Sequence, residues 1–338
     1  MNLNAGLLMN VNLRKEKTYR DRRGDGDNFK SLYRFTQGNV EWLTNYFLGD
    51  QEETRGGSLS NIQKMKTFLR YVGDPGFQIG VGEDIGIHQT TACKIIWYVC
   101  KHITAKSNDW IQFPSTEEEF REAKCSWSRK GQIPNAIGAI DCTHVQIVRP
   151  HNHPDEFINR KGLASFNVQA TCNANEVITS IDCSWPGSVH DSRIWKNSSI
   201  YQIMFENPAG ALLIGDEGYG IAPWIMTPYR NPNIPIHMHY NKIFCRERVV
   251  VERVFGQIKR RFPYLQNAVR MATYRVPSMI LSCFILHNIA KFLQDEDFDG
   301  DYDNTNENNI IGLNENGDIK TRGRNRRDAI AAYLSRRN

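Results

Sequence analysis

Two apolar runs in this chain end in an aspartate: "AIGAID" climbs without charge to Asp141, and "LLIGD" does the same to Asp216. Each reads as a short buried strand. Strands have to stop, and acids and glycines serve well in turns, so one such ending carries little information. If the two strands lie side by side, however, their carboxylates meet at one edge of a sheet. Clustered buried carboxylates are costly without a countercharge. A divalent cation supplies one, and carboxylate oxygens are hard ligands that suit magnesium or manganese. A third acid, Glu252, lies in "RVVVERVFGQIKRRF". Helical spacing puts Val251, Val254, Phe255, Ile258 and Phe262 in one apolar stripe, with Glu252, Arg248 and Lys259 on its flank. From spacing alone Glu252 reads equally as a metal-facing carboxylate and as half of an i,i+4 surface pair with Arg248.

Elements must hold these acids in place. Residues 1–28 are basic and read as a loosely attached tail; 29–105 read as helical. "SLSNIQKMKTFLRYVG" opens on a capping serine and closes at Gly73, and "HQTTACKIIWYVCKHI" places Ile95, Ile96, Val99 and Ile103 at helical spacing. Two short helices around a glycine-bearing turn suggest a helix-turn-helix unit, although a three-helix packing unit without DNA contact has the same pattern. Residues 106–133 read as a connector. From about 134 the period changes: "AIGAIDCTHVQIV", "SFNVQATCNAN" and "VITSIDCSW" are strand candidates, "DSRIWKNSSIYQIMF" a helix starting at Asp191, and "ALLIGDEGYG" a further strand. That order predicts an α/β layer with three antiparallel strands and a fourth added after a crossover helix. Pro263 should end the helix carrying Glu252, and "VPSMILSCFILHNIAKFL" should form an apolar helix. The acidic stretch within 295–320 reads as a mobile linker, and 321–338 as a basic C-terminal helix.

A strand ending in an acid, 35 intervening residues, and an acid on a helix form the spacing pattern of DDE transposases and integrases. The chain resembles the PIF/Harbinger transposase family and its domesticated nuclease relatives. The segments that carry the resemblance are "GAIDCTH", "NRKGLASFNVQATCN", "PGSVHDSRIW", "LLIGDEGY", "TPY", "RVVVERVFGQIKRRFPYL" and "LHNI", in order over about 138–290. The resemblance implies an RNase H-like DDE nuclease core, a mixed sheet with flanking helices, over 134–294, preceded by the small helical domain. It implies a catalytic triad of Asp141, Asp216 and Glu252 that binds Mg2+ or Mn2+, with Asp191 of "PGSVHDS" as a fourth metal-linked acid; Asp191 would also suit an N-cap on the helix that follows. Arg160, Lys161, Arg248, Arg253, Lys259, Arg260 and Arg261 would line a DNA path. DNA, a Myb-like DNA-binding protein and a second copy of the chain are the partners implied. The sequence departs from the family's pattern at Cys142, where glycine is common, and at Glu217, where serine is common.

Composition bounds the rest. No apolar run approaches the ~18 residues of a membrane-spanning helix, and the N-terminus places its short apolar patch ahead of its charges, the reverse of a secretory signal. The eight cysteines form no C-x-x-C pair and read as reduced core thiols, which suits the nucleus or the cytosol. "GRNRR" at 323–327 reads equally as a nuclear signal and as a solvated helix start. "GVGEDIG" has the wrong spacing for a dinucleotide fingerprint, "HNHPDEF" reads as a polar loop before a zinc site, and His287 reads as a hydrogen-bonded core histidine. A DNA-binding or scaffold protein that kept this fold and lost the reaction is the rival reading.

Overall fold

The computed structural model describes residues 28–49, 59–74, 78–206, 210–298 and 317–337. The basic tail, apart from Asn28, and most of the acidic run lie outside these residues. Seven described helices precede the first strand: α1 Phe29–Tyr33, α2 Gln37–Leu48, α3 Asn61–Val72, α4 Gln78–Ile85, α5 Gln89–Thr104, α6 Ser107–Trp110 and α7 Glu117–Ser128. The chain then forms β1 Ala136–Gln146, β2 Ser165–Cys172, β3 Ile178–Pro186, α8 Asp191–Asn197, α9 Ser199–Glu206, β4 Leu212–Ile214, β5 Ile225–Met226, α10 Pro235–Arg261, α11 Val276–Phe292 and α12 Gly317–Ser335.

The sheet order is β3-β2-β1-β4-β5. β1, β2 and β3 pair antiparallel; β4 joins β1 in parallel after the α8–α9 crossover, and β5 adds to β4 in parallel. The mixed sheet is therefore the one the strand order predicts. β5 has only two residues, too short for any alternation to register in the sequence. β1 is central and covered on both faces, which explains its nearly unbroken apolar run. Ile137, Ile140 and Cys142 pack with Ile194 and Trp195 of α8, whereas Ala139 and Val145 pack in the cluster that includes Val251, Val254 and Phe255 of α10. Strand alternation then places Asp141 and Thr143 on the α10 face.

α10 starts well before "RERVVVERVFGQIKRRF", with Pro235 in its first turn, where a missing N–H costs nothing. The added turns bury Tyr240, Ile243 and Phe244. The predicted stripe from Val251 to Phe262 is buried throughout, and Pro263 follows the helix end as expected. Glu247, also buried, ties α10 to the segment that feeds β1. It accepts from the Trp127 indole at 2.8 Å and from the Ile133 N–H at 3.2 Å. Gly131 is required at that crossing, because a Cβ there would lie 2.5 Å from Glu247 Oε2.

α3 carries the expected cap: Ser60 and Gln63 form a capping box, and the Gly73 N–H closes the helix onto Leu69. α4 and α5 flank a turn at Gly86 (φ +76°), and α5 buries Ile95, Ile96, Val99 and Ile103 against α3 and α11. In "LHNI", Asn288 bonds both the N–H and the carbonyl of Ile178 at 2.8 Å, and His287 Nε2 lies 2.8 Å from the Glu176 carbonyl. Burial pushes His287 down to about 4, so it stays neutral in the core, the role expected of it.

Two expectations for the C-terminal third need correction. The acidic linker does not begin at 295: the Asp295 side chain is fully buried and pairs with Arg261 at 3.0 Å. It also accepts from the Thr36 N–H at 3.1 Å and the Asn39 amide at 2.7 Å, and Arg261 reaches the Arg34 carbonyl at 2.7 Å. One ion pair thus joins the end of α10 to the N-terminal helices, 259 residues from Asp295 to Thr36 along the chain. α12 in turn begins at Gly317 and is docked on α10 and β5. Arg326 donates to the Gly210 carbonyl at 2.5 Å, and the Arg327 guanidinium lies 3.8 Å from the centre of the Tyr229 ring. Two cations of "GRNRR" are thereby engaged in the fold, neither a solvated helix start nor an open signal. Asp295→Ala is expected to remove the nearer carboxylate from the buried Arg261, leaving it Asp297 at 3.4 Å, and to lower stability by about 2–4 kcal/mol, measurable by chemical denaturation.

Candidate active site

Asp141 sits in the middle of the sheet, 4% exposed. Its Oδ1 accepts from the Cys142 N–H at 2.8 Å, and its Oδ2 lies 3.2 Å from Arg248 Nη1. Asp216 follows β4, and the register pairing Ala139 with Ile214 brings it level with Asp141. Its carboxylate caps the short 3-10 turn Glu217–Tyr219 by accepting from the Gly218 N–H at 3.0 Å. Glu217 is part of that turn and pairs with Arg230 at 3.3 Å. Glu252, one turn after Arg248 on α10, accepts from Arg248 Nη2. Arg248 therefore bridges Asp141 and Glu252. The i,i+4 pair expected of Glu252 forms, and it forms beside Asp141, with the Arg248 side chain only 18% exposed.

Asp191 is the first residue of α8, and His190 occupies the N-cap position, so the capping alternative for Asp191 does not hold. Its carboxylate instead accepts from the Asn167 amide at 2.8 Å, and the same amide donates to the Val189 carbonyl at 2.9 Å. Asn167 lies on β2, paired with His144 of β1. No sequence signal marks it, since a period-2 pattern places a residue on a face without naming its partner.

The acids feel one another. Burial pushes Asp141 well above the usual carboxylate range and the charge of Asp216 adds to this, while Arg248 and the Cys142 N–H pull it back. Burial raises Asp216 to about 6, Asp191 adds to the rise, and Arg248 and the Gly218 N–H oppose it. Arg248 stays charged despite its burial because Asp141, Glu252 and Asp216 surround it. Among the described residues, no three His, Cys, Asp or Glu side chains approach closely enough to hold a metal ion as they stand. The donor chemistry nonetheless fits a hard divalent cation: a buried and a half-buried carboxylate, Asp141 and Asp216, both pushed toward the protonated form, with a third held beside Asp141 by a cation of the chain. Behind the site, Cys142 Sγ lies 3.2 Å from Tyr219 Oη, both buried.

The expected DNA-facing cations divide. Arg160 and Lys161 lie on the exposed turn before β2, with Arg160 Nη2 2.6 Å from His190 Nδ1. Arg253 is half-exposed and pairs with Glu176 at 2.8 Å; Arg260 bonds the Phe298 carbonyl at 3.1 Å. Lys259 and Arg261 point inward, contrary to expectation. Lys259, 8% exposed, donates to Thr143 Oγ1 at 2.8 Å and to the His144 carbonyl at 3.1 Å, and burial pushes it down to about 8. Arg261, 1% exposed, belongs to the Asp295 joint. A helical wheel put Lys259 on the flank of the apolar stripe, but the sheet extends past the stripe and covers that flank. Arg248 likewise turns in toward the acids.

Residues 140–288 match the family model described as DDE superfamily endonuclease. The chain is 29% identical over 243 residues to the cattle (Bos taurus) protein named "Putative nuclease HARBI1", covering 70% of this chain and 69% of that one. The human protein of the same name is 28% identical over 243 residues, with 70% and 69% covered. "Protein ALP1-like" of Arabidopsis thaliana is 23% identical over 300 residues, 81% of this chain and 73% of that one. No solved structure matches. These likenesses support a function of the nuclease type, and they accord with the mixed sheet, the crossover and the acids at its edge: the domain over residues 140–288 belongs to the DDE superfamily endonucleases, of the Harbinger type.

Proposed function

We propose that the protein is a divalent-metal-dependent DNA endonuclease, with Asp141, Asp216 and Glu252 as its catalytic carboxylates and Asp191 as an outer acid of the same site. The observation that carries the reading is the pair Asp141 and Asp216, level with each other, the first buried and the second half-buried, and each pushed toward its protonated form by loss of hydration and by neighbouring acids. A structure has no reason to keep such a pair for stability alone. A bound Mg2+ or Mn2+, held by Asp141, Asp216 and Glu252, would supply Lewis-acid activation of a water and charge for the leaving 3′ oxygen of a phosphodiester. The chain's own contribution is preorganisation. The Cys142 N–H fixes one oxygen of Asp141, the Gly218 N–H fixes Asp216, and the Asn167 amide fixes Asp191. Arg160 and Lys161, on the turn beside His190 and Asp191, would take phosphate contacts that set affinity and salt dependence and leave sequence unread. Arg253 and Arg260 would extend that path at lower weight. α4 and α5 would add a helix-turn-helix contact to duplex DNA.

The reading extends to a nuclear location, where duplex DNA is available, and to two further partners implied by the resemblance: a second copy of the chain for paired-end chemistry and a Myb-like DNA-binding protein. The rival, a DNA-binding protein of the same fold that performs no cleavage, is favoured by one observation: Arg248 already neutralises part of the acid group.

Purified protein is expected to nick supercoiled plasmid in manganese, and Asp141→Ala, Asp216→Ala and Glu252→Ala are each expected to lower the rate by at least ~100-fold. Equal nicking by wild type and variants would sink the assignment. The raised Asp216 carboxyl gives a pH signature. Its folded value of about 6 exceeds the ordinary 3.8, so the folded state binds the extra proton. Without metal, its contribution to stability is fully present below about 4 and lost as pH rises through about 6. A melting series in chelator should therefore fall over that window for wild type and less for Asp216→Asn. With metal, protons compete for the same oxygens, and the half-saturating manganese concentration should climb as pH drops below about 6.

A further inference from the structure

The cation at the centre of the acid group is part of the chain. Arg248 directs Nη1 to Asp141 and Nη2 to Glu252, with its own side chain 18% exposed and that of Asp141 6% exposed. Lys259, the other basic residue expected on this flank of α10, is committed to Thr143 and His144. Arg160 meets His190 on the turn before β2. Within the contacts of the acid group, the charge that lets Asp141 remain buried beside Asp216 is therefore the Arg248 guanidinium. Its planar fork is what the geometry needs, because one group must meet two carboxylates on separate elements, a strand and a helix.

We propose that Arg248 is the internal countercharge of this site: it holds Asp141 and Glu252 together when no divalent cation is bound, and it competes with that cation for Asp141. The inference rests on the metal-site reading above. It accounts for the acids being grouped around a guanidinium with no three of them close enough to ligate an ion. It also gives Arg248 a second position. Displaced from Asp141, the guanidinium remains tethered one helical turn from Glu252, at the mouth of the site, where its fork matches the phosphate it would meet. The inward arginine and the DNA-facing arginine expected from the sequence would then be two positions of one side chain.

The test has two arms on the full chain. The first is a double-mutant cycle in chelator, measured by denaturation, with Arg248→Met, Asp141→Asn and the double variant. Arg248→Met should destabilise, and Asp141→Asn in its presence should restore part of the loss, because the uncompensated charge is gone. The second is manganese binding, read from the paramagnetic signal of the free ion, for wild type, Arg248→Met, Arg248→Lys and, as a control on the exposed face of α7, Arg121→Met. Arg248→Met should lower the half-saturating concentration about tenfold, equivalent to about 1.4 kcal/mol. Arg248→Lys, which keeps the charge without the fork, should fall between, and Arg121→Met should match wild type. Absence of coupling in the first arm overturns the proposal whatever the metal does. A manganese response unchanged by Arg248→Met overturns the proposal and leaves the metal site standing. A response equal in Arg248→Lys and wild type reduces Arg248 to a general field and overturns the bridging role. No manganese response in any variant overturns the metal site itself, and the competition with it.

Discussion

Carboxylates placed together out of water repel one another and lose their hydration, and the molecule is organised around that cost. Asp141 stands on a central strand with helices over both faces, so it cannot turn to solvent. Asp216 is brought level with it by the parallel pairing of β4 to β1, and that pairing depends on the α8–α9 crossover. The crossover begins with Asp191, so the same connection that allows the parallel pair also delivers a further acid. Each acid is then answered by a specific donor: a backbone N–H for Asp141 and Asp216, a side-chain amide for Asp191, a guanidinium for Asp141 and Glu252.

α10 does most of the joining. Along one helix, Glu247 anchors the entry to β1, Arg248 and Glu252 reach the acid group, Lys259 supports β1 from beneath at Thr143 and His144, and Arg261 fastens the N-terminal helices through Asp295. Charged residues at these positions are tolerated because each finds a partner of opposite charge or a hydrogen-bond partner when it is buried: N–H donors for Glu247, a hydroxyl and a carbonyl for Lys259. The helix is thus a rigid ruler between the N-terminal helices, the sheet and the acid group, and a displacement along its axis would disturb all of these together. α12 adds a clasp from the other end, with Arg327 over Tyr229 and the Gly323 backbone packed against Ala222. The clasp thus grips both sides of β5, and Arg230, next to Tyr229 in the segment between β5 and α10, pairs with Glu217, the neighbour of Asp216.

The sequence by itself determined the elements and their order. Apolar runs marked β1, β2, β3 and β4, a 3.6-residue stripe marked the buried face of α10, and a serine cap and a glycine marked the ends of α3. The spacing of Asp141, Asp216 and Glu252 marked three acids on two strands and a helix, and the ordered motifs around them marked the family. These features are local, set by alternation, propensity and capping within a few residues, so they can be read without knowing what packs against what. What only the tertiary structure decided is where each charge ends. Arg248, Lys259 and Arg261 share one basic helix, yet one meets the acids, one supports β1 and one holds Asp295; Asp295 itself, inside an acidic run that reads as linker, is buried. The two-residue β5 exists only because β4 offers it an edge. The physical reason is that the fate of a charged side chain depends on partners distant in sequence, and desolvation and pairing act through space, where periodicity carries no information.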